Sequence, residues 1–143
     1  MSPISDALLR AYKETRYCVS GGDEFVMQVG HVSEPAKALM TRYSAPGAVF
    51  ITAWNPFGKR SSEADNDAAN SALRSALERS GLHVLEGVGV SADGRWRENS
   101  FFAFPVTRSA AVELCCRHSQ NAVIFVGSDG TPELLLNPQR RFS

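Results

Sequence analysis

The clearest pattern in the chain is the run Ala48 to Trp54, Ala-Val-Phe-Ile-Thr-Ala-Trp, which is apolar on both alternating faces. A strand with that pattern is predicted at the centre of a sheet, buried on two sides. Asn55-Pro56-Phe57-Gly58 breaks it. A long helix over about 63 to 80 follows, capped by Ser61 or Ser62, with Glu63 and Asp65 complementing the dipole in its first turn and Gly81 stopping it. Within this helix Asn66 and Asn70 share a stripe with Leu73 and Leu77, because at about 100° per residue the four positions fall in roughly a 60° arc. Both amides therefore turn toward the core. A buried amide without partners costs about 1–3 kcal/mol, so something must bond to them. Either they tie the helix start to a neighbouring loop, or the stripe opens into a polar pocket at that end of the helix.

The remaining elements follow from capping residues, alternation and turn signals. Ser5 opens a helix to about residue 15 with Ala7, Leu8, Ala11 and Tyr12 on one side. Tyr17 and Val19 alternate on one strand and Phe25, Met27 and Val29 on the next, with a hairpin at Gly21-Gly22-Asp23. A helix over Glu34–Tyr43 ends before Pro46-Gly47. Beyond Gly81 come strands at His83–Val90 and Glu98–Val106 around Asp93-Gly94. A helix from Thr107 or Ser109 to about His118 leads to a buried strand at Asn121–Val126, and Asp129-Gly130 turns into a short strand at Glu133–Leu136. From Ala48 to Val126 the order is β-α-β-β-α-β. This predicts an α+β fold with a ferredoxin-like core, to which the N-terminal helix and hairpin and the short C-terminal strand are additions. Residues 1–143 are read as one domain.

Composition narrows the classes of function without selecting one. With 43% hydrophobic and 21% charged residues the chain can build a core without disulfide or metal support. Fifteen basic and fifteen acidic residues leave no net charge, which disfavours non-specific nucleic-acid binding. Charges at Asp6, Arg10, Lys13, Glu14 and Arg16 exclude the apolar core of a secretory signal, and no stretch reaches membrane-spanning length. Cys18, Cys115 and Cys116 have no C-x-x-C spacing and read as reduced thiols of a cytoplasmic protein.

Candidate chemistry clusters at strand ends. Glu98 heads a face shared with Ser100, Phe102 and Phe104, and a carboxylate at the rim of an apolar face can have its pKa raised and act as an acid or base. The competing expectation is an ion pair with Arg95, Arg97 or Arg74. Asn55-Pro56 joins a buried strand to a helix start, a junction that favours ligands but is also an ordinary turn. Gln120-Asn121 stands before a buried strand and can read an amide or a base edge, or cap the preceding helix. Cys115 and Cys116 read as core thiols, and His118 has no clear companion. No motif indicates a nucleophile or a metal, and neither metal nor cofactor is expected.

The run Phe50-Ile51-Thr52-Ala53-Trp54-Asn55-Pro56, then Ser62, Asn66 and Asn70, then Trp96-x-Glu98-x-Ser100-Phe101 and Gln120-Asn121-Ala122, resembles the bacterial family called domain of unknown function 3293. The likeness takes in the opening Ala11-Tyr12 and Thr15-x-Tyr17. Cys115 to Ser119 departs from it, where the family pattern is a Phe-Gly pair. The resemblance implies a small intracellular bacterial protein and supplies no activity for it. Its motif residues coincide with the polar groups picked out by periodicity: Thr52, Asn55, Asn66, Asn70, Glu98, Ser100, Gln120 and Asn121. These are expected to converge, either as a pocket or as a buried hydrogen-bond network.

Three functions compete. The preferred one is a metal-free site for a small polar ligand, a nucleotide or amide-bearing metabolite, which Asn66, Asn70 and Gln120 bind, with Thr52, Asn55, Ser100 and Asn121 also lining the site and Glu98 as general base. The alternative is a protein-interaction module that uses a strand edge or a patch near Trp54 and Phe57. Last is a single-stranded RNA reader using Phe102 and Phe104, disfavoured by the neutral charge.

Overall fold

The structure, a computed structural model, describes residues 4–140. Helix α1 (Asp6–Glu14) starts where the Ser5 hydroxyl accepts the Leu8 N–H at 3.1 Å. It leads into the hairpin β1 (Arg16–Val19) and β2 (Phe25–Met27). Helix α2 (Glu34–Arg42), capped by Ser33, precedes β3 (Gly47–Ile51), in which every residue is buried. A 3₁₀ turn at Pro56–Gly58 separates β3 from α3 (Glu63–Arg79), which Ser62 caps. Strands β4 (His83–Val90) and β5 (Arg97–Phe104) form a long hairpin. Helix α4 (Arg108–Arg117), capped by Thr107, and strands β6 (Ala122–Gly127) and β7 (Pro132–Leu136) complete the chain.

All seven strands join one antiparallel sheet in the order β2-β1-β4-β5-β3-β6-β7, curled into a half-barrel. This corrects the ferredoxin-like core expected from the sequence: the fold is mixed α+β, but the sheet is not a four-stranded unit with additions. Strand β1 pairs along β4 from Arg16↔Val90 to Val19↔Gly87, and β7 pairs along β6, so neither β4 nor β6 is an edge. The two faces also carry separate cores. On one, Ala36 and Met40 of α2 pack with Tyr17, Val19, Phe50, Phe102, Phe104, Ile124 and Val126. On the other, Leu73 and Leu77 of α3 and Ala111 and Cys115 of α4 pack with Val49, Ile51, Phe101, Ala103, Val123 and Phe125. Burial of one such side chain contributes about 1.5–3 kcal/mol, and helices pack on both faces of the sheet.

Helix α1 is the exception. Its apolar side carries Leu8 and Tyr12, yet none of its residues is buried. It lies over the part of the α2-side face that α2 does not cover, opposite Phe50 and Ile124. At Gly87 a Cβ would stand 2.6 Å from the Cys18 carbonyl oxygen and 2.8 Å from the Phe50 ring, so only glycine lets that ring seat.

Candidate functional site

The loop that leaves β3 is pinned by α3. Asn70 accepts the Ala53 N–H at Oδ1 (2.8 Å) and donates through Nδ2 to the Asn99 carbonyl (2.8 Å). The Thr52 hydroxyl donates to the same carbonyl at 2.7 Å and accepts the Trp54 N–H at 3.0 Å. One turn earlier on the helix, Asn66 accepts the Asn55 N–H at 2.8 Å and donates to Asn55 Oδ1 at 2.9 Å; that oxygen also accepts the Ser61 N–H at 3.0 Å. The two inward amides of the helical stripe are therefore spent on loop backbone and on one another's neighbours. Their grip has a local consequence. Asn55 is held at φ 45°, ψ 70° and Phe57 at φ 54°, left-handed conformations that Asn tolerates and Phe resists, at about 1–3 kcal/mol for a strained residue.

Beside this loop, between α1 and the end of the sheet, lies a cavity of about 460 Å³. Phe50 and Ile124 of the sheet line it, with Leu8, Ala11 and Tyr12 of α1 opposite. Thr52, Asn55, Glu98, Ser100, Gln120 and Asn121, six of the eight polar residues expected to converge, line this one space. Asn66 and Asn70 do not. Asn66 instead borders a neighbouring outer cleft, and both stand behind the loop whose shape they set.

Among the described residues Glu98 has no ion-pair partner. Its Oε1 accepts the Trp96 indole N–H at 2.8 Å, while Arg74, one of its expected partners, is taken by Glu86 at 2.9 Å and Glu78 at 3.6 Å. Burial raises the Glu98 pKa above the usual carboxylate range, and the Trp96 hydrogen bond opposes that shift. Asn121, only 3% exposed, donates through Nδ2 to the Tyr12 hydroxyl at 3.2 Å, but its Oδ1 has no hydrogen-bond partner among the described residues. Burial also raises the Tyr12 pKa, against the Asn121 bond that lowers it, and the Glu98 charge raises it further. Both groups sit on backbone that side chains of other elements hold. Tyr17 donates its hydroxyl to the Tyr12 carbonyl at 2.6 Å, and Asn137 donates its N–H to the Asn121 carbonyl at 2.8 Å and its Nδ2 to the Gln120 carbonyl at 2.9 Å. Gln120 itself donates to the His118 carbonyl at 3.3 Å and reaches the Trp54 carbonyl at 3.5 Å, and the Ser100 hydroxyl donates to the Glu98 carbonyl at 3.0 Å. Two partly or wholly buried acceptors remain unspent, the second Glu98 oxygen and Asn121 Oδ1.

Sequence reasoning missed Tyr12 as the Asn121 partner, Trp96 as the Glu98 partner, Asn137 as the clamp on Gln120-Asn121, and buried Arg140, which lies 4.7 Å from the Phe57 ring centroid. Trp96 and Glu98 are two apart on adjoining extended residues, which could have flagged that pair. Tyr12 and Asn121 are 109 positions apart and give no local signal. Cys115 is buried, its thiol donating to the Gln120 carbonyl at 3.3 Å and its pKa pushed up to about 12 by burial, so it is a packing thiol. His118 ends α4 with Nε2 buried and unpartnered, its pKa lowered by burial and by Arg117. Among the described residues no three His, Cys, Asp or Glu side chains gather as a metal would need, and no helix is long and apolar enough to cross a membrane.

A seven-stranded antiparallel sheet with helices on both faces, and an aromatic-lined cavity with surplus acceptors at one end, is the kind of protein this chain makes. The family model described as protein of unknown function (DUF3293) matches residues 51–123, just over half of the chain, and the chain belongs to that family. The matched segment carries the β3 loop, α3, the β4–β5 hairpin and Gln120-Asn121, and omits α1. No curated protein and no solved structure matches the chain.

Proposed function

We propose that the cavity under α1 binds a small polar metabolite that presents N–H donors, such as a nucleotide or an amide-bearing compound, through Glu98 and Asn121. One observation carries this reading: Asn121 Oδ1 is a buried acceptor with no donor among the described residues, and Asn121 lines a space the size of a small-molecule site. An unmet buried acceptor costs about 1–3 kcal/mol, a penalty that a ligand N–H would remove. Glu98 adds a carboxylate that burial makes a stronger proton acceptor, Tyr12 adds a hydroxyl beside it, and Phe50, Trp54 and Ile124 supply an apolar bed. The binding chemistry is hydrogen bonding by side chains, with Glu98 placed to take a proton from a bound donor.

Gly89 provides the test. It lines the cavity directly opposite Glu98 on the neighbouring strand, and a Cβ there would meet nothing closer than Thr15 Cγ2 at 3.9 Å. Gly89→Val should fill the cavity and leave the sheet intact. In a thermal-shift screen of nucleosides, nucleotides and primary carboxamides, at least one compound should raise the melting temperature of the wild type and lose that effect with Gly89→Val. A wild type indifferent to the whole panel, or a Gly89→Val variant that responds equally, contradicts the reading.

A further inference from the structure

The cavity continues outward. Trp54, Asn55, Arg95 and Trp96 are walls both of the cavity and of an open cleft of about 420 Å³, whose other walls include Arg60, Glu63 and Arg97. The two spaces have opposite character. Deep inside, Glu98 and Asn121 hold the free buried acceptors, while at the mouth Asp93 Oδ1 accepts the Ser91 hydroxyl at 2.6 Å and the Arg95 N–H at 3.0 Å. Outside, three guanidinium groups face one carboxylate, Glu63. None of the three is in an ion pair: among the described residues these are confined to Arg74 with Glu78 and Glu86, and Arg108 with Glu133. In a chain with no net charge, three unpaired arginines around one cleft beside two tryptophans are a local excess, not a background.

We propose that the ligand is a nucleoside monophosphate, its base in the inner cavity with N–H groups toward Glu98 and Asn121, and its phosphate in the outer cleft among Arg60, Arg95 and Arg97. The proposal rests on the reading of the inner cavity given above and adds the anionic end. Guanidinium groups stay charged across the working pH range and offer planar forks of donors that match phosphate oxygens. A phosphomonoester carries about two negative charges near neutral pH, which balances three arginines less one glutamate, where a carboxylate would balance only one. Trp54 and Trp96, at the boundary between the spaces, offer aromatic surface where the sugar and base must pass.

Isothermal titration with AMP, GMP, CMP and UMP, the four matching nucleosides and inorganic phosphate tests this on the wild type, Gly89→Val and the double variant Arg60→Ala/Arg97→Ala. Both arginines are exposed, so the double variant keeps its core. At least one monophosphate should bind ten times or more tightly than its nucleoside, with the advantage shrinking in added salt and collapsing in the arginine double variant. A nucleoside that binds as well as its monophosphate, or an advantage that survives loss of both arginines, overturns the phosphate cleft and leaves the inner cavity standing. Inorganic phosphate bound equally by wild type and Gly89→Val, with no nucleotide bound, reduces the cleft to a bare anion patch and overturns the shared ligand. Silence toward nucleotides and nucleosides while a carboxamide is bound removes the nucleotide alone. Silence toward every compound overturns both readings.

Discussion

Asn70 and Asn121 are both buried amides, and they differ in what their oxygens do. Asn70 Oδ1 accepts the Ala53 N–H and its Nδ2 serves the Asn99 carbonyl, so truncation strands the buried Ala53 N–H and leaves the Asn99 carbonyl with the Thr52 hydroxyl alone. Asn70→Ala should therefore lose about 1–3 kcal/mol in urea unfolding, the range for a buried backbone group left without a partner. Asn121 has one hydrogen bond to the Tyr12 hydroxyl and an idle acceptor. Asn121→Leu should change unfolding by less than about 1 kcal/mol, because the lost bond is offset by removal of an unmet polar group. Equal and large losses in both variants would make Asn121 a structural amide like Asn70. The helical period identified Asn66 and Asn70 as inward-facing, which they are, but a period reports only direction. Whether an inward amide is satisfied depends on the loop that arrives opposite it, here Thr52 to Asn55 and Asn99.

Among the helices, α1 has the weakest hold. Helices α2, α3 and α4 each seat two or more side chains in a core, whereas α1 seats none and presents Leu8 and Tyr12 to the cavity. Few buried apolar contacts mean a low local opening free energy. In hydrogen-exchange mass spectrometry the amides of α1 should exchange well before those of α3, and any compound that raises the melting temperature should slow α1 at least tenfold. Protection of α1 equal to that of α3 without ligand, and unchanged with it, would show a helix packed for structure alone. The elements were well marked in the sequence, because Ser5 and Ser62 declare helix starts through their own side chains and Glu98, Ser100, Phe102 and Phe104 alternate cleanly along β5. The break at Asn55-Pro56 was equally plain. Its left-handed residues were not, since Phe57 adopts φ 54° in a loop where the Phe57 N–H donates to the Ser119 carbonyl and Arg140 covers the ring.

At the scale of the whole molecule, strand pairing decides both the fold and the cavity, and pairing is where sequence patterns are weakest. Alternation in β1 shows that Tyr17 and Val19 point one way; it does not show that β1 will lie against β4, some 70 residues later in the chain. That pairing carries the sheet past β4, and the β7 pairing carries it past β6, so the expected four-stranded core becomes a seven-stranded sheet with α1 over one end of a face that α2 covers elsewhere. The cavity is the space between that end of the sheet and α1. Most of its polar groups were legible one by one, as residues at strand ends. Their common wall with Tyr12 and Trp96 was not, because it exists only once the sheet has closed.

The central claim is that Glu98 is held in its half-buried position for a ligand and at some expense to the fold. Its raised pKa fixes the sign of the test. A carboxyl group whose folded pKa exceeds the ordinary value near 4.5 gives its full support to the fold below that pH, and that support is lost as pH rises through the higher folded value. Glu98→Gln keeps an oxygen for the Trp96 N–H and removes the charge. The most direct measurement is the melting temperature of wild type and Glu98→Gln across pH 3 to 8, read beside their affinities for a bound nucleotide or carboxamide. The variant should match the wild type below about pH 4, become the more stable of the two as pH rises and then level off, while its affinity falls about tenfold with loss of a charge-assisted bond. A variant less stable than the wild type throughout, with ligand affinity unchanged, would make Glu98 a structural residue and contradict the claim.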